Sequence, residues 1–299
     1  VEPLIIEARV NEYATRHRNK NVPWLPHEIA GDAAECFSAG ASIVHFHGRG
    51  ADGSPDNQFE TCRDTIRAIR ETSPILTHPS LGYLTVGSSA TERFANTRRL
   101  AANPATRPDL APLDMGSVNA DLCDPRTLQF RSPGTVYVNG TDMLIDMSQR
   151  MRDVQIKPAL VAWNVSFLRL IEAFTSMKLL DAPLFVSLVL TDQILIAGHP
   201  GTLQGLEAYL AFLPKDVPVA WAVTYIGGRL DDFLLDRIIL AGGHLQVGLG
   251  DYTYADHGYP TNADVVARVA ERAKALGRAV ASPDDTRRIL GLPPAGQLM

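Results

Sequence analysis

Two histidines set two positions apart, His45 and His47, are the residues of this chain best spaced to do chemistry. They end the run Ala41-Ser42-Ile43-Val44-His45-Phe46-His47, whose unbroken apolar and β-branched residues read as a short buried strand. Side chains alternate faces along a strand, so both imidazoles point the same way, about 7 Å apart. Two same-face imidazoles at a strand end can hold a divalent metal. They can also be hydrogen-bonded core residues with no metal. Gly48, Gly50 and Gly53 then turn the strand into the kind of loop where sites are found, which favours the metal.

The elements that must position this pair recur along the chain. Strand-like stretches are expected at 4–11, 42–47, 74–80, 110–118, 156–162, 183–190, 217–225 and 244–249. Helix-like stretches alternate with them at 26–39, 58–71, 91–102, up to about 153, 166–178, 202–213, 231–241 and 262–276, with a closing helix at 283–290. Eight strand–helix units with no Pro/Ser linker fit one (β/α)8 TIM barrel over residues 1–299 better than two domains. The long connection at 119–139 reads as a functional or mobile loop.

In such a barrel every strand ends on one rim, so the search for chemistry narrows to those ends. The rim gathers Asn11, Glu12, His45, His47, Arg49, His78, Ser80, Asp114, Ser117, Trp163, Asn164, His199, Tyr225, Arg229 and Asp251. Glu7, Arg9 and Asn11 share one face of the first strand and Glu12 the other. If Glu7 and Arg9 point inward they must pair, because an isolated buried charge is costly. A shifted strand would leave them in solvent instead.

A net charge of −5 with no Lys/Arg-rich block offers nothing to nucleic acid. No apolar run approaches the roughly 20 residues of a membrane span. Three widely spaced cysteines, Cys36, Cys62 and Cys123, make neither a disulfide framework nor a thiolate zinc site. A cytoplasmic protein is expected.

Val44-His45-Phe46-His47-Gly48-Arg49, followed by Asp52-Gly53-Ser54-Pro55, resembles the β-keto acid cleavage enzyme family. Further similarity lies in Ala241-Gly242-Gly243-His244, Val247-Gly248-Leu249 and Pro260-Thr261-Asn262-Ala263, and in the stretch 276–283. The resemblance implies a zinc-dependent TIM barrel that condenses a β-keto acid with acetyl-CoA, giving acetoacetate and a new CoA thioester. It implies Zn2+ on His45 and His47, a substrate contact from Ser80, and a base at Asp251.

The family's third zinc ligand is a Glu at the end of strand eight, where this chain has Gly250. Gln246 stands at the position of the family's Arg, and strand five lacks the family's acidic residues. Asp251, Glu12 or another carboxylate would have to complete the metal shell. No partner for Asp251 is identified.

Chemically, a metal on the His pair would polarise a keto oxygen and stabilise the enolate. Asp251 would act as the base, and Arg49 would hold a carboxylate bidentately or serve as a salt-bridge partner. His78 and His199 each read as a replacement metal ligand, a CoA-phosphate contact or a plain loop hydrogen-bonder, the last being favoured for each alone. His with carboxylate suits zinc, and also manganese, iron or nickel. Two other readings stand beside this one. One is a metal-dependent aldolase, hydrolase or isomerase that acts on a carboxylated substrate without acetyl-CoA; the other is a non-catalytic binder of a small acid. By fold analogy a homo-oligomer is expected, with the apolar segment 290–294 packed on a neighbour.

Overall fold

The expected strand–helix alternation is present in the computed structural model, which describes residues 1–82, 89–124, 126–192 and 195–295. The first strands are β1 (Ile6–Arg9), β2 (Ile43–Phe46), β3 (Leu76–Pro79) and β4 (Leu110–Asp114). Four two-residue strands follow: β5 (Val118–Asn119), β6 (Cys123–Asp124), β7 (Gln129–Phe130) and β8 (Val136–Tyr137). The long strands resume with β9 (Lys157–Ala162), β10 (Leu184–Thr191), β11 (Val219–Ile226) and β12 (His244–Val247). Element ends differ from expectation mostly by one or two residues. The exception is β4, which stops at Asp114 because Gly116 turns the chain at φ +156°.

The eight long strands run parallel in the order β3-β2-β1-β12-β11-β10-β9-β4. The TIM barrel closes between its two outer strands through Asp109. Its N–H donates to Thr77 O at 3.0 Å. Its Oδ2 accepts from Thr77 N at 2.9 Å and from the Thr77 hydroxyl at 3.0 Å.

Helices pack outside this sheet. The first, α1 (Pro26–Ala39), shows why they form where they do. Proline opens it, Glu28 Oε2 accepts the N–H groups of Trp24 and Leu25 at 2.9 Å, and Gly40 ends it in the left-handed region. Ile29, Ala30, Ala33 and Cys36 form its buried face. Among the described residues, no helix is long and apolar enough to cross a membrane.

Two sequence expectations change here. The stretch 119–139 is not one irregular loop: β5 pairs with β8 and β6 with β7 in short antiparallel ladders. A further bridge, Leu122 to Leu195, ties this cap to the connection after β10. The closing segment turns its leucines toward the barrel, while Pro293 stays partly exposed and Pro294 exposed. Leu290, the last residue of the closing helix (Pro283–Leu290), is fully buried with Ile5, Ile43, Leu76, Leu110 and Phe185, and Leu292 packs against the same cluster. This segment plugs the barrel floor, at the end opposite the strand C-termini, because the apolar floor would otherwise face water.

Arg287 of the same helix donates to Asp109 Oδ1 at 2.6 Å, so one carboxylate closes the barrel and holds its plug. Asp109→Ala should lower the unfolding free energy by about 2–3 kcal/mol, because Thr77 N–H and Arg287 both lose their acceptor. Urea titration checks this; a change near zero would mean that closure does not depend on Asp109.

A second test concerns pH. His244 Nδ1 accepts from Ile5 N–H at 2.9 Å, and burial beside the Arg278 charge pushes its pKa down to about 3. The unfolded chain takes up this proton below about pH 6.5 and the folded chain does not, so stability falls as pH drops through that range. His244→Asn keeps an acceptor near Nδ1 without the titration. It should flatten the stability–pH slope between about pH 6 and 4 by about one proton.

Candidate metal centre

The end of β2 presents His45 and His47 on one face, as their spacing requires, and both are buried. Asn11 fixes the backbone there: its amide nitrogen donates to His47 O at 2.9 Å and its oxygen accepts from His47 N at 2.8 Å. The chain then leaves β1 through Glu12, whose φ of +23° is unusual for a side-chain-bearing residue. This turn overrides strand alternation and swings Glu12 in toward the histidines. Its Oε1 lies 3.0 Å from His45 Nε2 and its Oε2 lies 2.7 Å from His47 Nε2.

Gly250 makes room for that carboxylate. A Cβ at this position would lie 2.4 Å from Glu12 Cγ and 2.9 Å from Glu12 Cβ. Glu12 thus fills the space into which a side chain at 250 would grow.

Charge balance comes from β1 itself. Arg9 points inward and places Nη2 2.6 Å from Glu12 Oε1. Its Nε lies 3.1 and 3.0 Å from the two Asp251 oxygens. The expectation that Asp251 has no partner is corrected: Arg9 orients it, and the Thr224 hydroxyl donates to Asp251 Oδ2 at 3.0 Å. Burial tends to raise the pKa of Glu12, but Arg9, His47 and His45 outweigh it and keep the carboxyl ionised. Burial pushes the pKa of Asp251 up, the charge of Glu12 adds to this, and Arg9 opposes it. Burial lowers His45 to about 4, which leaves its imidazole neutral near pH 7.

Beneath this centre lies a layer that sequence alone did not assemble. Glu7, fully buried, sits 3.0 Å from His78 Nδ1 and accepts from Gln246 Nε2 at 3.0 Å. Gln246 Nε2 also donates to the Ser187 hydroxyl at 2.9 Å. The only sequence signal was the pair Glu7 and Arg9 in an otherwise apolar strand; both point inward and both are paired.

Above the centre opens a cavity of about 740 Å3. Glu12, His45, His47 and Asp251 line its base, and Leu81 and Met143 belong to its walls. Ser80 also lines it, with its hydroxyl donating to Gly82 O and accepting from Gly82 N, both at 3.0 Å. Asp114 faces the cavity too, accepting from Trp163 Nε1 at 2.7 Å and the Tyr137 hydroxyl at 3.0 Å.

Arg49 has a different place from the one expected. Its guanidinium donates to Gly53 O at 2.9 Å, to Asn11 O at 3.0 Å and to Glu12 O. It clamps the turn that aims Glu12, and it is absent from the cavity lining. His199 stands edge-on to the Tyr209 ring, with centroids 4.5 Å apart, away from the His pair.

Two imidazole nitrogens and one carboxylate converging at a cavity base form the donor set of catalytic zinc sites, which leave a further position open. Glu12, His45 and His47 could therefore hold a divalent metal. A buried ring nitrogen without a hydrogen-bond partner among the described residues, His45 Nδ1, agrees with this, because ligation at Nε2 places a proton there.

The chain is 29% identical over 297 residues to a 3-keto-5-aminohexanoate cleavage enzyme of Fusobacterium nucleatum subsp. nucleatum, covering 98% of this chain and 99% of the relative. It is 29% identical to a 3-oxoadipate:acetyl-CoA acetyltransferase of Cupriavidus necator, covering 98% and 96%. It is 26% identical to a 3-dehydrocarnitine:acetyl-CoA trimethylamine transferase of Rhizobium meliloti, covering 93% and 92%. Among solved structures, ObcA in a ternary complex with a C4-CoA adduct and oxalate shares the fold. The TM-score is 0.71 at 16% identity, covering 91% of this chain and 68% of that one. A model of the beta-keto acid cleavage enzyme family matches residues 3–292, and the chain belongs to that enzyme family.

Proposed function

We propose that the chain holds one divalent metal, zinc by its donor set, on Glu12, His45 and His47, and cleaves a β-keto acid using acetyl-CoA. In the overall exchange, R–CO–CH2–COO⁻ and acetyl-CoA become R–CO–SCoA and acetoacetate. The bond between the keto carbon and the methylene carbon breaks. The CH2–COO⁻ unit joins the acetyl carbonyl, and the CoA sulfur takes the acyl group. The observation that carries this reading is the convergence of both Nε2 atoms on one carboxylate at the cavity base, with Asp251 held alongside by Arg9.

Each residue then has a stated task. A metal bound there supplies Lewis-acid polarisation of the keto oxygen. Asp251, oriented by Arg9 and Thr224, is the group that removes and returns substrate protons. Ser80, at the cavity wall, offers a hydroxyl to a substrate carboxylate or carbonyl. The apolar walls exclude water from the reacting carbons. Arg49 acts only through the turn at Glu12.

The experiment is an acetoacetate-release assay across a panel of β-keto acids, with elemental analysis of the same preparation. About one metal per chain is expected, and removing it with a chelator should abolish acetyl-CoA-dependent release. His47→Ala should lose both metal and activity and still unfold cooperatively. Turnover without acetyl-CoA, or full activity in the chelated protein, would overturn the reading. Gly250→Ala should also weaken metal retention, by at least about tenfold, because the added methyl displaces Glu12. Chelator competition reads this directly, and wild-type retention would remove Glu12 from the ligand set.

A further inference from the structure

The end of β12 departs from a regular ladder, and one side chain from outside the cavity holds it there. Parallel strands exchange hydrogen bonds at every second residue. Leu245 N donates to Ile5 O at 3.1 Å, so an unbroken ladder would bring Leu249 N to Arg9 O. Gly250 N donates to Arg9 O instead, at 3.0 Å. One extra residue has therefore entered the chain just after β12, as in a β-bulge. This shift decides where Asp251 points. Gln246 faces inward, toward Glu7 and Ser187. By alternation from Gln246, an uninterrupted strand would turn Asp251 to the outer face. The added residue reverses that parity, and Asp251 meets Arg9 inside.

The bulge takes the N–H of fully buried Leu249 off the ladder. Asn262 Oδ1 accepts it at 2.7 Å. The nitrogen of the same amide donates to Val10 O, past the end of β1, at 3.1 Å, and to Asp32 Oδ2 on α1 at 2.7 Å. Asn262 is 0% exposed and opens the helix Asn262–Ala275, whose Thr261 cap accepts from Asp264 N at 3.1 Å. The amide thus starts from a fixed helix end, with its oxygen and both of its N–H groups engaged. Gly248 permits the close approach: a Cβ there would run into Arg9 O and lie 2.9 Å from Asn262 Oδ1. Neither Asn262 nor Asp32 lines the cavity.

We infer that Asn262 is a positioning residue for the reaction: its amide stands in for a ladder rung between the ends of β1 and β12, holds the bulge open, and so aims Asp251 into the cavity. Asp32 anchors that amide from α1. Neither residue touches substrate. The inference rests on the role of Asp251 in the function proposed above, but its structural test does not depend on the reaction.

The test compares Asn262→Ala with Asp109→Ala, which loosens the barrel from its floor. At a temperature where both stay folded, Asn262→Ala should lower kcat for acetoacetate release by about 10–100-fold and leave KM for both substrates within about twofold. Asp109→Ala should keep the wild-type kcat. In crystal structures Asp251 should move from Arg9 by about 1 Å or more in Asn262→Ala and stay in place in Asp109→Ala. Asp32→Ala should lower kcat in the same direction by less, and Asp32→Asn, which returns an acceptor to the amide, should recover part of the loss. This pair carries the test if Asn262→Ala does not fold. A merely structural role predicts lower stability with wild-type kcat and an unmoved Asp251, and that result would overturn the inference. A wild type that releases no acetoacetate would instead defeat the proposed reaction, and the position of Asp251 in the variant crystal structures would then decide this inference alone.

Discussion

Burying the Glu12 carboxylate is the constraint around which the top of the barrel is arranged. A lone carboxylate taken out of water at this depth would be far too costly to remain charged. It stays ionised because Arg9 and two imidazoles surround it. Asp251 places a second carboxylate on Arg9. The five side chains therefore form one electrostatic unit. Removing one leaves another buried and unbalanced, so the unit constrains the turn after β1 as strongly as it serves any substrate.

The barrel interior changes character from floor to mouth. Apolar residues and the closing helix seal the floor. The middle holds Glu7, His78, Gln246 and Ser187, which bond one another, while His78 Nε2 and Gln246 Oε1 have no partner among the described residues. The mouth holds charges that face a cavity. A polar middle layer is less stabilising than an apolar one of equal volume.

Backbone details carry as much of the site as side chains do. The glycine at 250 and the left-handed turn at Glu12 fit each other. Arg49 holds that turn from outside by donating to its carbonyls, and Asn11 holds the backbone of His47. A carboxylate from the end of β1 thereby reaches the space in front of two imidazoles from the end of β2, its neighbour in the sheet.

The sequence by itself determined the barrel and the His pair. Strand periodicity, helix-capping residues and glycine stops are local signals, and eight repeats of one unit leave few other architectures. His45 and His47 were legible for the same reason, since their common face follows from a period of two. Glu12 was placed on the wrong face by that same rule, because one positive φ cancels it. The partners of Glu7 and Arg9 were invisible: His78, Gln246 and Asp251 are far away in the chain, and only barrel closure brings them within 3 Å or so. Arg49 read equally as a substrate clamp or a structural salt-bridge partner, and its direction depends on a loop fold that residue type does not encode. Tertiary structure decided which charges meet, because those contacts join residues whose separation in sequence says nothing about their separation in space.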